Sequence, residues 1–137
     1  MSGKVCAFVK KLNKSPRTEE VLTTAEQLLL WYVADSYNDE AKAAWVGKKA
    51  MARDNGLSPR RVNQIVAELV RKEVIWREPR YHENGREQSN WLRFYEFDGE
   101  PPHRVKVWEE MHRVRGQLAA DRRRERANRA SYPQKGT

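Results

Sequence analysis

The sequence predicts a mostly helical α+β fold, with a three-helix core, a β-hairpin after it and an added helix towards the C-terminal end. Three observations predict this fold. Helix caps and apolar periodicity mark three successive helices between residues 23 and 73. A β-rich stretch with an Asn84-Gly85 turn signal follows, and helical periodicity returns from Arg104.

The same pattern divides the chain into five parts. The N-terminal segment is predicted to be irregular, with room for a short strand at Val5–Val9. We expect an N-terminal segment at 1–21, a domain at 22–98, a linker at 99–103, a basic amphipathic helix at 104–130 and a disordered end at 131–137.

Charge limits the classes of function. The 137 residues carry a formal net charge of +8, and the positive charge gathers in two regions. Residues 47–93 hold 11 basic against 6 acidic side chains, and residues 104–137 hold 10 against 4. This distribution is expected of a protein that binds a polyanion, although a solvated basic surface would give the same composition.

Apolar runs in the sequence are too short for export or membrane insertion. Val5–Val9 is shorter than the apolar region of a signal peptide. The longest apolar run, Leu28–Ala34, is far shorter than the roughly 20 residues that cross a bilayer. We therefore expect a cytoplasmic protein without membrane contact.

Metal and cofactor sites are not expected either. Cys6 is the one cysteine, and it shares no short ligand spacing with His82, His103 or His112. The chain is also too short for an added ligand-sensing domain. We expect no metal, no cofactor and no small-molecule ligand.

The first helix of the core is predicted from its cap and its periodicity. Thr23 and Glu26 have the spacing of a capping box, in which each side chain binds the backbone amide of the other residue. Trp31 and Trp45 are predicted to belong to the core, and Asn38–Ala44 to be a loop. The predicted buried stripe of this helix is formed by Leu28, Leu29, Tyr32 and Val33.

Two helices joined by a sharp turn are predicted next. Lys48–Asp54 reads as a helix that ends at Gly56, because glycine supplies the left-handed conformation of a tight turn. Ser58 is a favoured N-cap and Pro59 a favoured first residue for a helix that runs to about Glu73. This combination predicts a helix-turn-helix, whose second helix enters the major groove of DNA. Its buried stripe is formed by Val62, Ile65, Val66 and Leu69.

A β-hairpin is predicted after these helices. Val74–Arg77 and Trp91–Phe97 are β-rich, and Asn84-Gly85 between them is typical of a tight turn. Pro79 has no backbone amide to donate, so its strand is predicted to lie at a sheet edge, as in a protruding wing. The predicted fold is therefore a winged helix-turn-helix. Both hairpin faces carry apolar residues, so the outer one is expected to be covered, exposed as a contact patch or turned to DNA.

The candidate DNA-binding residues lie on the helix-turn-helix and on the wing. Arginine pairs with guanine and Asn or Gln with adenine, whereas lysines at a helix start suit phosphates. Wing side chains, among which we include Arg77, can contact phosphates or the minor groove. An ordinary solvated polar face is the alternative interpretation. The predicted contacts are Lys48, Lys49, Ser58, Pro59, Arg60, Arg61, Asn63, Gln64, Ala67, Arg71, Arg80, His82, Arg86 and Gln88.

From about Leu22 to Phe94 the chain resembles the winged helix-turn-helix family found in phage and plasmid replication-initiator proteins and related DNA-binding regulators. The resemblance implies double-stranded DNA binding, in replication or in regulation. Two residues depart from the family pattern: Gly47 stands where a serine usually caps a helix, and Glu73 where a glycine usually ends one. The residues that carry the resemblance are Leu22-Thr23, Met51-Ala52, Gly56-Leu57-Ser58, Arg61-Val62, Val74-Ile75 and Ser89-Asn90-x-Leu92.

The C-terminal helix carries a narrow apolar stripe on a highly charged segment. Such a stripe predicts a buried partner surface, either the outer face of the hairpin or the same helix of a second copy. We favour a homodimer, with Trp108 and Met111 as the candidate contacts. Arg122–Arg129 is either a phosphate-binding arm or a solvated end. The stripe is formed by Val105, Trp108, Met111 and Leu118.

Taken together, these patterns predict a sequence-specific double-stranded DNA-binding protein of phage or mobile-element type, acting at the nucleoid in transcription regulation or replication initiation. The alternative is an adaptor that recruits a replication or transcription protein through its C-terminal helix. No enzyme is expected, because the sequence has no clustered acidic triad or histidine pair for a catalytic metal. RNA binding by the wing is less well matched than duplex DNA binding by the second helix.

Overall fold

The structure is a computed structural model, which describes residues 2–81, 83–85 and 87–131. It contains two compact units, Met1–Pro101 and Pro102–Thr137. The fold is mostly helical α+β, with a helix-turn-helix, a β-sheet and a long C-terminal helix, which confirms the predicted fold class. No helix in the described ranges is long and apolar enough to cross a membrane.

The N-terminal segment begins with a helix, α1 (Gly3–Lys11), so the prediction of a strand at Val5–Val9 is wrong. The Ser2 hydroxyl caps this helix by accepting a hydrogen bond from the Val5 amide at 3.4 Å. Val5 and Val9 are both buried and lie one helical turn apart. Their spacing has the period of a helix rather than of a strand, and it places this segment in the common hydrophobic core.

The second helix, α2 (Thr24–Ser36), confirms the predicted capping box. The Thr23 hydroxyl accepts from the Glu26 amide at 3.1 Å, and the Glu26 carboxylate accepts from the Thr23 amide at 2.9 Å. The buried face differs from the predicted stripe, because Leu28 is 62% exposed. α1, α3 and α4 all pack against α2, so these contacts determine which of its faces is buried. The buried apolar side chains of α2 are Leu29, Leu30, Val33 and Ala34.

Trp31 and Trp45 lie at the surface, so the prediction that they belong to the core is wrong. Trp31 is 52% exposed and lies three residues after Leu28, on the same outward side of α2. Trp45 is 45% exposed and directly follows the buried Ala44. Successive side chains of an extended segment point to opposite faces, so Trp45 points away from the face on which Ala44 is buried.

The predicted helix-turn-helix is formed by α3 (Lys48–Asn55) and α4 (Pro59–Arg71). Gly56 between them has a φ of +65°, which lets the chain turn sharply. The Ser58 hydroxyl accepts from the Arg61 amide at 3.1 Å and so caps α4 as predicted. The predicted buried stripe of α4 is confirmed by Val62, Ile65, Val66 and Leu69.

The two departures from the family pattern have local physical consequences. Gly47 precedes α3 without a side-chain hydrogen bond, and a Cβ atom at this position would lie 3.3 Å from the Ser89 hydroxyl oxygen. Glu73 has a φ of +56°, the left-handed conformation that a glycine usually supplies. Its carboxylate lies 3.2 Å from the Arg17 guanidinium, a contact that a glycine could not make.

The sheet of the first unit has the strand order β1-β2-β4-β3, and all neighbouring strands are antiparallel. The segment predicted as a loop at Asn38–Ala44 therefore contributes to two short strands. Strand β3 lies at the edge, as Pro79 predicts, and its register shifts between Glu78 and Arg80. The strands are β1 (Tyr37–Asn38), β2 (Ala43–Ala44), β3 (Ile75–Tyr81) and β4 (Glu87–Phe94).

Strand β4 ends three residues before the predicted limit of Phe97, because a short helix, α5 (Tyr95–Asp98), begins there. The Asp98 carboxylate accepts hydrogen bonds from the Phe94 amide at 2.8 Å and from the Tyr37 hydroxyl at 2.6 Å. Burial and this carboxylate raise the pKa of Tyr37. The two hydrogen bonds stabilise the turn that ends the strand.

The second unit contains α6 (His103–Ser131), close to the predicted range of 104–130. Its predicted stripe is not uniformly buried, since Met111 and Leu118 are 52% and 51% exposed. Trp108 is half-buried, and its ring stacks on His112 with 5.1 Å between centroids. The disordered end was predicted for residues 131–137. Ser131 is the last residue of α6, and residues 132–137 lie outside the described ranges.

Candidate nucleic-acid interface

The outward face of α4 carries the side chains predicted to read bases. They lie opposite the buried stripe of this helix. Asn63 is half-buried, whereas the other side chains of this face are exposed. Over the described ranges, the side chains of Arg60, Arg61 and Gln64 form no hydrogen bond or ion pair, so they are available to a ligand. The exposed members of the face are Arg60, Arg61, Gln64 and Ala67.

Both helices of the helix-turn-helix carry a pair of basic residues in their first turn. Lys48 and Lys49 are the first two residues of α3, Arg60 and Arg61 follow the first residue of α4, and neither first turn contains an acidic residue. A helix N-terminus carries partial positive charge, so each cation in the first turn destabilises the helix by about 0.3–1 kcal/mol. An acidic residue at the same place would stabilise the helix. The first turn of α2, in contrast, contains Glu26. Helix stability therefore does not explain these four charges, whereas a bound anion would offset their repulsion.

Polar contacts hold the two helices in place. The Tyr32 hydroxyl of α2 donates to the Asp54 carboxylate of α3 at 2.5 Å. This hydrogen bond raises the pKa of Tyr32 and lowers the pKa of Asp54. The exposed Ser58 uses its hydroxyl to cap α4, and Pro59 is the exposed first residue of that helix.

Arg71 is differently placed from the other predicted contacts on α4. Its guanidinium lies 2.9 Å from the Glu68 carboxylate and 2.8 Å from the Glu20 carboxylate. The hydrogen bonds to Glu68 and Glu20 raise the pKa of Arg71, and the same pairing with Arg71 lowers the pKa of Glu68. A duplex contact by Arg71 would have to compete with two carboxylates.

The wing, defined as the β3–β4 hairpin, brings fewer predicted side chains to the surface than the sequence indicated. Arg77 is 7% exposed, so its assignment to the wing surface is wrong. The reason is register: Arg77 pairs with the buried Leu92 and shares its face of the sheet. Arg80 is half-buried, and its guanidinium carbon lies 5.4 Å from the centroid of the Trp91 ring.

Three predicted wing contacts stay predictions. His82 and Arg86 lie outside the described residues, as does the side chain of Gln88. The turn between the strands contains Gly85, whose φ of +84° agrees with the predicted tight-turn signal.

Trp45 is a surface residue that the sequence analysis missed. It lies beside Trp91, with 6.1 Å between ring centroids. Strand alternation could have found it, because Ala44 pairs with Leu92 and both are buried. The residues next to this pair must point to the opposite face of the sheet.

The described residues contain no group of three His, Cys, Asp or Glu side chains that could hold a metal ion.

Comparison with protein families gives a match to part of the chain. No curated protein and no solved structure matches the chain detectably. Residues 19–75 match the family model described as a helix-turn-helix domain, a range that covers α2, α3 and α4. Residues 19–75 are therefore similar to helix-turn-helix domains, in agreement with the arrangement of α3 and α4.

Proposed function

We propose that the protein recognises specific double-stranded DNA sequences and is of phage or mobile-element type, acting in transcription regulation or replication initiation. The observation that carries this proposal is the pair of basic helix starts, Lys48-Lys49 and Arg60-Arg61, which are exposed and lack ion pairs with any described residue. Two such starts in one helix-turn-helix suit two phosphates or a phosphate and a guanine.

In this arrangement α4 enters the major groove with its N-terminus first. Arg60 and Gln64 contact base edges, and the small Ala67 allows the helix to approach closely. Lys48 and Lys49 contact the phosphate backbone, which fixes the position of the protein without reading sequence. The protein acts without catalysis, in the cytoplasm of a bacterial or phage-infected cell.

Selection of bound sequences from a random duplex pool tests this proposal. We expect a short conserved site whose most constrained bases include guanine or adenine, the partners of Arg and Gln. Two inverted half-sites would indicate a symmetric dimer, and repeated direct sites would indicate an origin of replication. Recovery of no conserved sequence would contradict specific binding and favour the adaptor function.

We also propose that two copies associate through α6. Four exposed apolar side chains on this helix are separated by four, three and four residues, the spacing of a two-stranded coiled coil. In a parallel pair, Glu110 would face Arg115 of the other copy across the seam, which adds charge complementarity. The Trp108 contact predicted from the sequence lies beside this seam. The seam is formed by Val107, Met111, Val114 and Leu118, each 42–52% exposed.

Replacing both Met111 and Leu118 with glutamate should convert the dimer into a monomer, because like charges would face each other across the seam. Sedimentation velocity at tens of micromolar measures this directly. Lys106→Glu, an exposed change away from the seam, should leave the dimer intact. Sedimentation of the wild-type protein as a monomer would contradict the proposed dimer, and the seam would then have to bind another partner.

The basic end of α6 provides a test of the phosphate-binding arm. Arg122, Arg123, Arg124 and Arg126 are exposed, and truncation after Ala120 removes all of them. The slope of log K against log salt should then fall by up to about 0.9 for each lost phosphate contact. The seam survives this cut, so sedimentation serves as the control. An unchanged slope would show that the arm is only solvated.

The adaptor function remains the second candidate because of α2. Leu28 and Trp31 lie one turn apart on its outward face and are 62% and 52% exposed. An exposed apolar pair of this kind suits a protein partner better than DNA. A replication or transcription protein would then bind to α2 or α6 while α4 lies in the major groove of the DNA.

A further inference from the structure

The outer face of the sheet carries a cluster of aromatic and arginine side chains that duplex reading by α4 does not use. Trp45 and Trp91 lie with ring centroids 6.1 Å apart. The guanidinium carbons of Arg80 and Arg93 lie 5.4 and 5.0 Å from the centroid of the Trp91 ring. These four residues are named the Trp–Arg surface.

Strand pairing explains why these side chains meet. Ala44 of β2 pairs with Leu92 of β4, and both point into the core. Trp45 and Trp91, the neighbours of this pair, therefore share the opposite face. Trp45 directly follows β2 and Trp91 lies within β4, so the register of these two strands brings the two rings together.

The members of the Trp–Arg surface have different roles. Arg93 is structural, because its guanidinium lies 2.7 Å from the Glu78 carboxylate and also donates to the Lys42 carbonyl at 2.8 Å. Arg80 forms no ion pair within the described ranges, so its charge is available. Trp45 is 45% exposed, which leaves much of its ring open to solvent.

An open aromatic ring and a cation without an ion pair among the described residues, both lying against Trp91, suit a ligand that is both flat and negatively charged. Trp45 lies three residues before Lys48, so the positive charge extends along the start of α3. Nucleic acid combines flat bases with phosphates. In a duplex the faces of the bases are covered by their neighbours, whereas a single strand offers them for stacking on aromatic side chains.

We propose that the Trp–Arg surface binds single-stranded DNA, with an unpaired base stacked on Trp45 and a neighbouring phosphate paired with Arg80. The surface holds a strand that has been released from a duplex, close to the helix-turn-helix that binds paired DNA. This activity goes beyond duplex recognition, and each can fail without the other, because the α4 face and Trp45 are separate sets of residues.

The experiment compares binding of the full-length protein to oligothymidylate and to an abasic strand of the same length, by fluorescence anisotropy. Both strands carry the same phosphates, so a difference between them reports stacking of bases. We expect the wild-type protein to bind oligothymidylate at least about fivefold more tightly than the abasic strand. Trp45→Ala should weaken oligothymidylate binding about 5-fold to 150-fold and leave abasic binding unchanged.

Two variants make this result specific. Trp31→Ala removes a tryptophan of similar exposure on α2 and should leave the preference for oligothymidylate intact. Trp45→Phe keeps an aromatic ring, and it should retain most of the affinity even if Trp45→Ala perturbs the sheet. Duplex binding of both Trp45 variants should equal that of the wild type.

Three outcomes would overturn the proposal. Equal wild-type affinity for oligothymidylate and the abasic strand would show that bases are not stacked. An equal loss on duplex and single strand in Trp45→Ala would reassign Trp45 to duplex binding. An unchanged affinity of Trp45→Ala for oligothymidylate would show that the Trp–Arg surface does not bind single-stranded DNA and would favour a protein partner for it.

Discussion

Replacing Lys72 with alanine is expected to lower the free energy of unfolding by about 3–5 kcal/mol, the cost of leaving a buried charge without its partner. Lys72 is 6% exposed and Glu26 is 3% exposed. The Lys72 ammonium lies 2.6 and 3.1 Å from the two Glu26 carboxylate oxygens, and it donates to the Val21 carbonyl at 3.0 Å. These acceptors match its three protons, so removal of the side chain leaves the carboxylate without a cation.

The ion pair also connects the end of α4 to the start of α2. The Lys72 carbonyl accepts from the Ser15 hydroxyl at 2.5 Å, while the Glu26 carboxylate closes the capping box with Thr23. The loss should therefore appear in the unfolding of the whole first unit, measured by urea titration with circular dichroism. Local fraying of one helix would give a smaller and less cooperative change.

Two variants control this prediction. Arg53→Ala breaks an ion pair with Asp54 whose members are 77% and 42% exposed, and it should not change stability measurably. The double variant Lys72→Met and Glu26→Gln removes both charges and should recover much of the loss. Stability of Lys72→Ala within about 1 kcal/mol of the wild type would show that water solvates Glu26 in the variant.

The helix-turn-helix could be predicted from the sequence because its signals are local. The Thr23 capping box, the Gly56 turn and the Ser58 cap each involve residues within four positions of one another. Local hydrogen bonds of this kind form in the same way whatever packs around them. For that reason the helix boundaries and the buried stripe of α4 agree with the structure.

Burial of individual side chains could not be predicted where it depends on distant partners. The Lys72–Glu26 pair joins residues 46 positions apart, and no spacing rule reveals such a contact. Arg77 points inwards because of its register with Leu92, which is fixed by the whole hairpin. Trp31 is exposed because the buried face of α2 is set by its neighbours on two sides.

The N-terminal helix shows a different limit. The valines in α1 favour a strand by intrinsic preference, and this preference suggested an extended segment. Burial of Val5 and Val9 on one face outweighs that preference. The period of the apolar residues was therefore a better predictor than their type.

The other large effect is expected at the reading face of α4. Replacing Arg60 or Gln64 with alanine should weaken binding to the preferred duplex by about 1–3 kcal/mol, or roughly 5-fold to 150-fold, because each can make a bidentate contact with a base. Both side chains are exposed, and within the described residues neither has a hydrogen-bond partner that a base would have to displace. Anisotropy titrations on the selected duplex and on an unrelated duplex measure specific and nonspecific affinity separately.

Arg71→Ala is the matched control for this prediction, because it removes an arginine from the same helix that is already paired with Glu68 and Glu20. It should leave specific affinity almost unchanged, whereas Arg60→Ala should also relax the preference at one base pair of the site. Nonspecific affinity should change little in Arg60→Ala, since phosphate contacts by Lys48 and Lys49 remain. An equal loss on both duplexes would assign Arg60 to the phosphate backbone, and the base-reading role of α4 would then rest on Gln64 and Asn63 alone.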